Sequence, residues 1–311
     1  MKYYFIVNPN ANGGRGLKLW NRMRSYLSKR NAEYEIYFTA SSGEGADIAR
    51  FLTEGLSDGS LNIFVIGGDG TLNEVLNGLH HVHKVNLCYI PTVPGEGLAK
   101  SLKLIDNPKT VIGRMNANDE SARIEAMDYG VLTCENGEMI RRFVNSSGIG
   151  FDAALAQRLK NKRSSNDGPA KKIGRITLLK ECVKELIFSR PVSGYIILDG
   201  TKRVEFNNLI FVSAHIHPYE WKFKFGSYAD PKDGILEICA VNCKNRVKFV
   251  PMLLASRFKG RAGSPRMKMY QCSEAHIHFD RPAVVHTDGE CIRSQTDIDI
   301  RCIRQQLNIF R

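Results

Sequence analysis

No stretch of about 18 uninterrupted apolar residues occurs in the 311-residue sequence, which excludes an ordinary transmembrane helix and leaves only peripheral contact with a membrane. The opening MKYYFIVNPN lacks the hydrophobic centre and cleavage site of a secretory signal and reads as a first strand. The 8 cysteines include no Cys-x-x-Cys pair, so neither a disulfide framework nor a zinc knuckle is indicated, and a reducing, cytoplasmic setting fits. Internal repeats and low-complexity tracts are absent. Acid is the scarcer charge: 32 Asp and Glu stand against 44 Lys and Arg, a formal net charge of +12. That balance favours an anionic partner: nucleotide phosphate, nucleic acid or an acidic membrane surface. No recognition helix or aromatic RNA-binding motif accompanies the charge, which argues against nucleic acid.

With 43% apolar and 24% charged residues, the chain has the composition of a globular protein, and its length suggests two domains. From Lys2 to about Leu104 the pattern is strand, glycine-rich loop and helix in repetition. Strand candidates are Tyr3–Val7, Tyr34–Thr39, Leu61–Ile66 and Leu87–Ile90; helical patterns lie near Leu17–Lys29, Ala46–Leu56, Leu72–Leu79 and Leu98–Leu102. The nearly all-apolar third strand belongs at the centre of a parallel sheet covered on both faces. Beyond about residue 124, short β-rich runs alternate with turn residues, as in a β-sandwich or barrel-like domain, interrupted by helical patterns at Phe151–Leu159 and Arg175–Ile187. The expected division is 1–124 α/β and 125–295 β-sandwich, with 296–311 returning to the first domain.

The sharpest motif is Gly67-Gly68-Asp69-Gly70-Thr71-Leu72-Asn73-Glu74-Val75, because it follows a buried-strand pattern and opens a helix. Consecutive glycines let backbone amides approach phosphate, and the helix N-terminus supplies donors and a favourable dipole. A structural alternative is a Thr-x-x-Glu capping box formed by Thr71 and Glu74. Asp69 would repel a triphosphate unless a cation such as magnesium lay between them. The loop matches neither the dinucleotide fingerprint nor the ordinary phosphate loop.

Several ordered motifs together resemble the diacylglycerol kinase catalytic-domain family, the bacterial soluble lipid kinases related to sphingosine and ceramide kinases. They are Val7-Asn8-Pro9 with Gly13-Gly14-Arg15-Gly16, Thr39, Gly67–Val75, Phe143-Val144-Asn145 with Gly148–Ala153, Asp230–Leu236 and Asp288-Gly289-Glu290. The resemblance spans nearly the whole length. It implies a two-domain ATP-dependent kinase with its active site in a cleft between an α/β domain and a β-sandwich, acting on a membrane lipid hydroxyl, by default that of diacylglycerol. Asn8, Thr39, Gly67, Gly68, Asp69, Gly70, Thr71 and Asn73 would face ATP. Asp69 would hold catalytic Mg2+ through water, and Glu290 would take the proton from the acceptor hydroxyl. Asp233, with carbonyls near Asp230 and Ile235, would form a second, structural magnesium site. Local sequence alone makes 288–290 a hairpin turn and 231–234 a Pro-x-Asp-Gly turn. NAD kinase, which shares the Gly-Gly-Asp-Gly-Thr loop, and a non-catalytic nucleotide or lipid sensor are the alternatives; a homodimer stays open.

The chain departs from the family at Pro94-Gly95-Glu96-Gly97, where Glu96 and Gly97 stand in place of the usual Asn-Asp, and at Gly45, which replaces a frequent His. The pairs His215-x-His217 and His276-x-His278 each share a strand face, but no third metal ligand is evident nearby. Two basic stretches, Arg158 to Lys180 and Arg246 to Lys268, the latter with Met252, Leu253, Leu254 and Phe258, are solvated faces or an anionic-lipid contact.

Overall fold

The computed structural model describes residues 2–57, 59–93, 97–102, 104, 124–164, 175–188, 192–219, 224–245 and 266–310. They fall into two compact units. One holds the chain through Met127 and again from Gln305; the other runs from Asp128 to Arg304.

In the first unit, β1 (Tyr3–Val7), β2 (Tyr34–Phe38), β3 (Leu61–Gly67) and β4 (Val85–Pro91) pair in the order β2-β1-β3-β4, every pairing parallel. Parallel strands need crossover helices, and these bury both faces of the sheet. Along β3, Ile63 and Val65 face one way and Phe64 and Ile66 the other, and none is more than 2% exposed. Helix α1 (Ala11–Ser28) lays Leu19, Trp20, Met23 and Leu27 on Phe5, Val7, Phe64 and Ile66. That spacing is the apolar stripe of an amphipathic helix. Its first turn is left-handed: Asn12, Gly13 and Gly14 have φ of 50°, 65° and 85°. Helices α2 (Glu44–Thr53) and α3 (Asp69–Gly78) pack so closely that a Cβ on Gly78 would lie 2.1 Å from the Ala46 carbonyl oxygen.

The chain steps from β1 to β2 on one side and returns to β3 on the other, so the strand order reverses between β1 and β3. In open α/β sheets ligands bind beyond the carboxyl ends of the strands at such a reversal.

The second unit comprises β5 (Ile124–Cys134) from Asp128 onward, β6 (Met139–Phe143), β7 (Ser146–Gly150), α5 (Phe151–Ser164), α6 (Arg175–Phe188), β8 (Val192–Leu198), β9 (Lys202–His215), β10 (Leu236–Asn242), β11 (Met267–Cys272), β12 (Glu274–Thr287) and β13 (Glu290–Phe310) as far as Arg304. The short α4 (Gly97–Ser101) belongs to the first unit. Among the described residues of the second unit, β10 pairs β9 and β11, β12 pairs β7, β8 and β13, β9 pairs β7 and β8, and β5 pairs β6, each antiparallel. Where a β-sandwich or barrel-like domain was expected, the strands form a ladder that closes on itself through β7-β9-β8-β12. The cause lies in two 14-residue strands that change partner: β9 pairs β8 with its first half and β7 with its second, and β12 does the same. The β12 register against β13 shifts between His278 and Ala283, across Pro282, which lacks the N–H a regular ladder needs. Ile149, Ile196, Phe206, Val212, Ile277 and Val285 fill the core of this ladder.

Residues 296–304 stay in the second unit, unlike the boundary expected at 295, because Asp297 to Arg301 pair with β12 from His278 back to Glu274. Only beyond Gln305, whose φ is 47°, does β13 pair in parallel with β4, Asn308 beside Asn86 and Ile309 beside Leu87. Helix α5 continues past the expected Leu159 to Ser164; residues 165–174 lie outside the described residues, as do Pro94, Gly95, Glu96 and 246–265 with Met252, Leu253, Leu254 and Phe258. Among the described residues no disulfide links the cysteines and no helix is long and apolar enough to cross a membrane.

Candidate functional site

Hydrogen bonds tie the carboxyl ends of the parallel strands together. The Asn8 amide donates to the Ile66 carbonyl at 2.9 Å, Thr39 N–H to the Val7 carbonyl at 2.9 Å, and Thr92 N–H to the Gly67 carbonyl at 2.8 Å. Side chains reinforce this: Asn8 Nδ2 donates to Thr71 Oγ1 at 3.3 Å, Thr92 Oγ1 to the Gly67 carbonyl at 3.0 Å, and Asn12 Nδ2 to the Thr92 carbonyl at 2.8 Å. Asn8, Thr39 and the Gly67–Thr71 loop therefore stand side by side at the strand-order reversal. Asn12 and Thr92 complete the group and were not singled out from the sequence, where neither sits in a glycine-rich motif.

No side chain caps α3 at Gly68, so the first-turn amides of the helix keep the donor character that suits an anion. A Cβ on Gly68 would meet nothing within 4 Å, whereas one on Gly67 would lie 2.6 Å from Thr71 Cβ. Gly67 is thus demanded by close packing and Gly68 leaves an open approach. The capping box expected of Thr71 and Glu74 does not form. Helix α3 starts at Asp69, which places Thr71 two residues inside it, and Glu74 Oε1 instead accepts the Gly43 N–H at 2.9 Å and the Ser42 hydroxyl at 3.1 Å at the start of α2. This also accounts for Gly45, whose Cβ would lie 2.9 Å from Glu74 Oε2. Asn73 is 2% exposed and its Oδ1 accepts from Asn77 at 3.1 Å, which turns its carboxamide oxygen along the helix.

Asp69 is held as an acceptor at both oxygens: Tyr89 Oη donates to Oδ1 at 2.8 Å and Leu98 N–H to Oδ2 at 3.3 Å. Gly97 makes this geometry accessible, since its φ is 51° and a Cβ there would lie 2.1 Å from Asp69 Oδ2. An ionised carboxylate retains further lone pairs, so its chemistry fits a magnesium ion held through water. Among the described residues no group of three or more His, Cys, Asp and Glu is placed as a metal cage.

In the second unit, Asp288 and Gly289 form a two-residue hairpin with φ of 51° and 82°, and Glu290 follows, paired with Thr287. The Asp288 carboxylate accepts the amides of Val144 at 2.8 Å, Asn145 at 2.8 Å and Ser146 at 3.0 Å, pinning the hairpin to the segment between β6 and β7. Asp233 Oδ1 accepts Ile235 N–H at 2.9 Å, Asp230 Oδ1 accepts Lys232 N–H at 3.1 Å, and buried Asp128 accepts Gly234 N–H at 2.7 Å. The loop thus has the turn chemistry read from Pro-x-Asp-Gly, with Asp128 as a partner no local motif announces. His276 and His278 pair with Asp299 and Asp297 at 2.9 and 2.7 Å, whereas His215 and His217 are buried.

Comparison with known proteins bears on this geometry. A family model described as "Diacylglycerol kinase catalytic domain" matches residues 2–129. A "Putative lipid kinase YtlR" of Bacillus subtilis is 24% identical over 296 residues, covering 93% of each chain. A "Diacylglycerol kinase" of Mycobacterium tuberculosis is 24% identical over 304 residues, covering 96% of this chain and 88% of the other. The crystal structure of "a putative diacylglycerol kinase" of Bacillus anthracis superposes with a TM-score of 0.72 at 19% identity, over 99% of this chain and 96% of that one, a likeness of fold. The match to the diacylglycerol kinase catalytic-domain model spans the residues that carry Asn8, Thr39 and the Gly67–Asn73 loop.

Proposed function

We propose that the protein is an ATP-dependent lipid kinase that phosphorylates a hydroxyl of a membrane lipid, with diacylglycerol as the default acceptor and phosphatidic acid as product. The observation that carries this reading is the hydrogen-bonded convergence of Asn8, the Gly67–Thr71 loop and Thr92 at the strand-order reversal, with Asp69 fixed beside it. Phosphoryl transfer depends on positioning and charge neutralisation more than on covalent chemistry. In this reading the uncapped amides of α3 and the glycines of the loop bind ATP phosphate, Asn8 and Thr39 border the nucleotide, and Asp69 holds Mg2+ through water. Bound magnesium supplies neutralisation of phosphate charge. Glu290 accepts the proton of the lipid hydroxyl, which makes the oxygen nucleophilic toward the γ-phosphate. A structural magnesium at Asp233, with the Asp230 and Ile235 carbonyls, would stiffen the 230–235 loop. The net charge of +12 supports docking on an anionic membrane surface.

The test incubates the protein with Mg2+ and γ-labelled ATP over mixed lipid vesicles in buffer containing NAD. Label in the organic phase is the expected result, and chromatography of that phase names the acceptor. Label in NADP transfers the assignment to NAD kinase, and ATP binding without transfer makes the chain a sensor. Asp69→Ala and Glu290→Ala should each abolish turnover with the fold retained; near-normal turnover in both overturns these residue roles.

A further inference from the structure

We propose that His286 is a positioning residue for Glu290, setting the hairpin that carries it; the proposal rests on the lipid kinase reading of Glu290. His286 is fully buried on β12 and stands directly opposite Gly148 of β7. The Gly289 N–H donates to His286 Nδ1 at 3.1 Å. A backbone N–H can only donate, so Nδ1 carries the lone pair and the ring proton sits on Nε2. That nitrogen lies 3.3 Å from Asp152 Oδ2. The other carboxylate oxygen, Asp152 Oδ1, accepts the Ala153 N–H at 2.8 Å, which fixes Asp152 to the start of α5. Gly148 makes room for the pair: a Cβ there would lie 2.1 Å from Asp152 Oδ2.

The start of α5 thus orients Asp152, Asp152 orients the His286 ring, and the ring holds Gly289, the residue next to Glu290. Asp288 is anchored separately by the amides of Val144, Asn145 and Ser146. Both loop residues have positive φ, and Asp288 is not a glycine, so the turn needs such ties to keep one conformation. A carboxylate that must meet a hydroxyl proton within hydrogen-bond reach gains from a support of this kind.

The two ring nitrogens can be tested apart. His286→Asn places an amide oxygen near the Nδ1 position and keeps the acceptor for Gly289. His286→Gln extends an amide N–H toward Asp152 and removes that acceptor. After circular dichroism and thermal melting establish that both variants fold, amide hydrogen exchange across 287–290 and steady-state turnover are measured. The expected result is faster exchange and a kcat at least tenfold lower in His286→Gln with KM for ATP unchanged, while His286→Asn stays within about threefold of the parent. Equal exchange in the two variants, or unequal exchange with equal kcat, overturns the proposal. Failure of the underlying reading is separately visible as a parent without lipid turnover or a fully active Glu290→Gln, and the exchange measurement still decides whether His286 holds the turn.

Discussion

Tyr89 Oη donates to Asp69 Oδ1 at 2.8 Å, joining the middle of β4 to the first residue of α3. A hydrogen bond to a charged group contributes about 1.5–3 kcal/mol. Tyr89→Phe keeps the ring in its buried place and removes only this donor, so the fold should lose about 1.5–3 kcal/mol and turnover should fall about tenfold or more. Parallel kinetics and thermal unfolding check this; turnover matching the parent would show that Asp69 does not depend on Tyr89.

Gly97 leaves room for Asp69 beside its second donor, the Leu98 N–H, and is one of the positions where the chain departs from the family it resembles. The space a side chain would enter is taken by the Asp69 carboxylate, 2.1 Å from the site of a Cβ, and the backbone has a φ of 51°. Gly97→Ala should cost about 1–3 kcal/mol in stability through left-handed strain. It should also weaken nucleotide binding by displacing Asp69. Urea unfolding and calorimetry with ATP and Mg2+ measure the two effects; unchanged affinity would separate Gly97 from the site.

Glu74 lies in the loop motif but serves α2. Glu74→Ala strips the acceptor from Gly43 N–H and should destabilise the fold by about 1 kcal/mol, the usual worth of a cap. KM for ATP should stay close to the parent value. A large KM change without loss of stability would mean that Glu74 acts on nucleotide.

Burial pushes His215 down to about 3. The folded protein therefore refuses a proton that the unfolded chain accepts near the ordinary value of 6.5. The residue's stability contribution is full above that value and is lost as pH falls through the interval toward 3. Between pH 6.5 and 5 the loss is about 2 kcal/mol. Urea unfolding of the parent and His215→Gln at pH 7 and pH 5 should give a drop smaller by that amount in the variant. Equal drops would place the proton elsewhere.

How much of this was legible depends on the range of each interaction. Strands Tyr3–Val7 and Leu61–Gly67 were readable because their apolar residues are contiguous and flanked by turns. Strand β11 was not singled out, and of β12 only His276-x-His278 was read as lying on a strand: the charged and polar Glu274, His276 and His278 interrupt the apolar pattern of β12, and Pro282 breaks its run. The capping box at Thr71 and Glu74 was a correct local pattern with the wrong partner, since a donor 31 residues away, the Gly43 N–H, won the carboxylate.

Local sequence settled the α/β class of the first unit, the glycine-rich loop between β3 and α3 and the lipid kinase resemblance. These depend on residue periodicity and on glycine's freedom at fixed offsets, which are local properties. Only the tertiary structure decided that Tyr89 and Gly97 seat Asp69, that Asp288 grips amides 142 to 144 residues away, and that His286 ties Gly289 to Asp152. Hydrogen bonds between distant segments join residues whose spacing along the chain carries no period, so only the fold can bring donor and acceptor within 3 Å or so of each other.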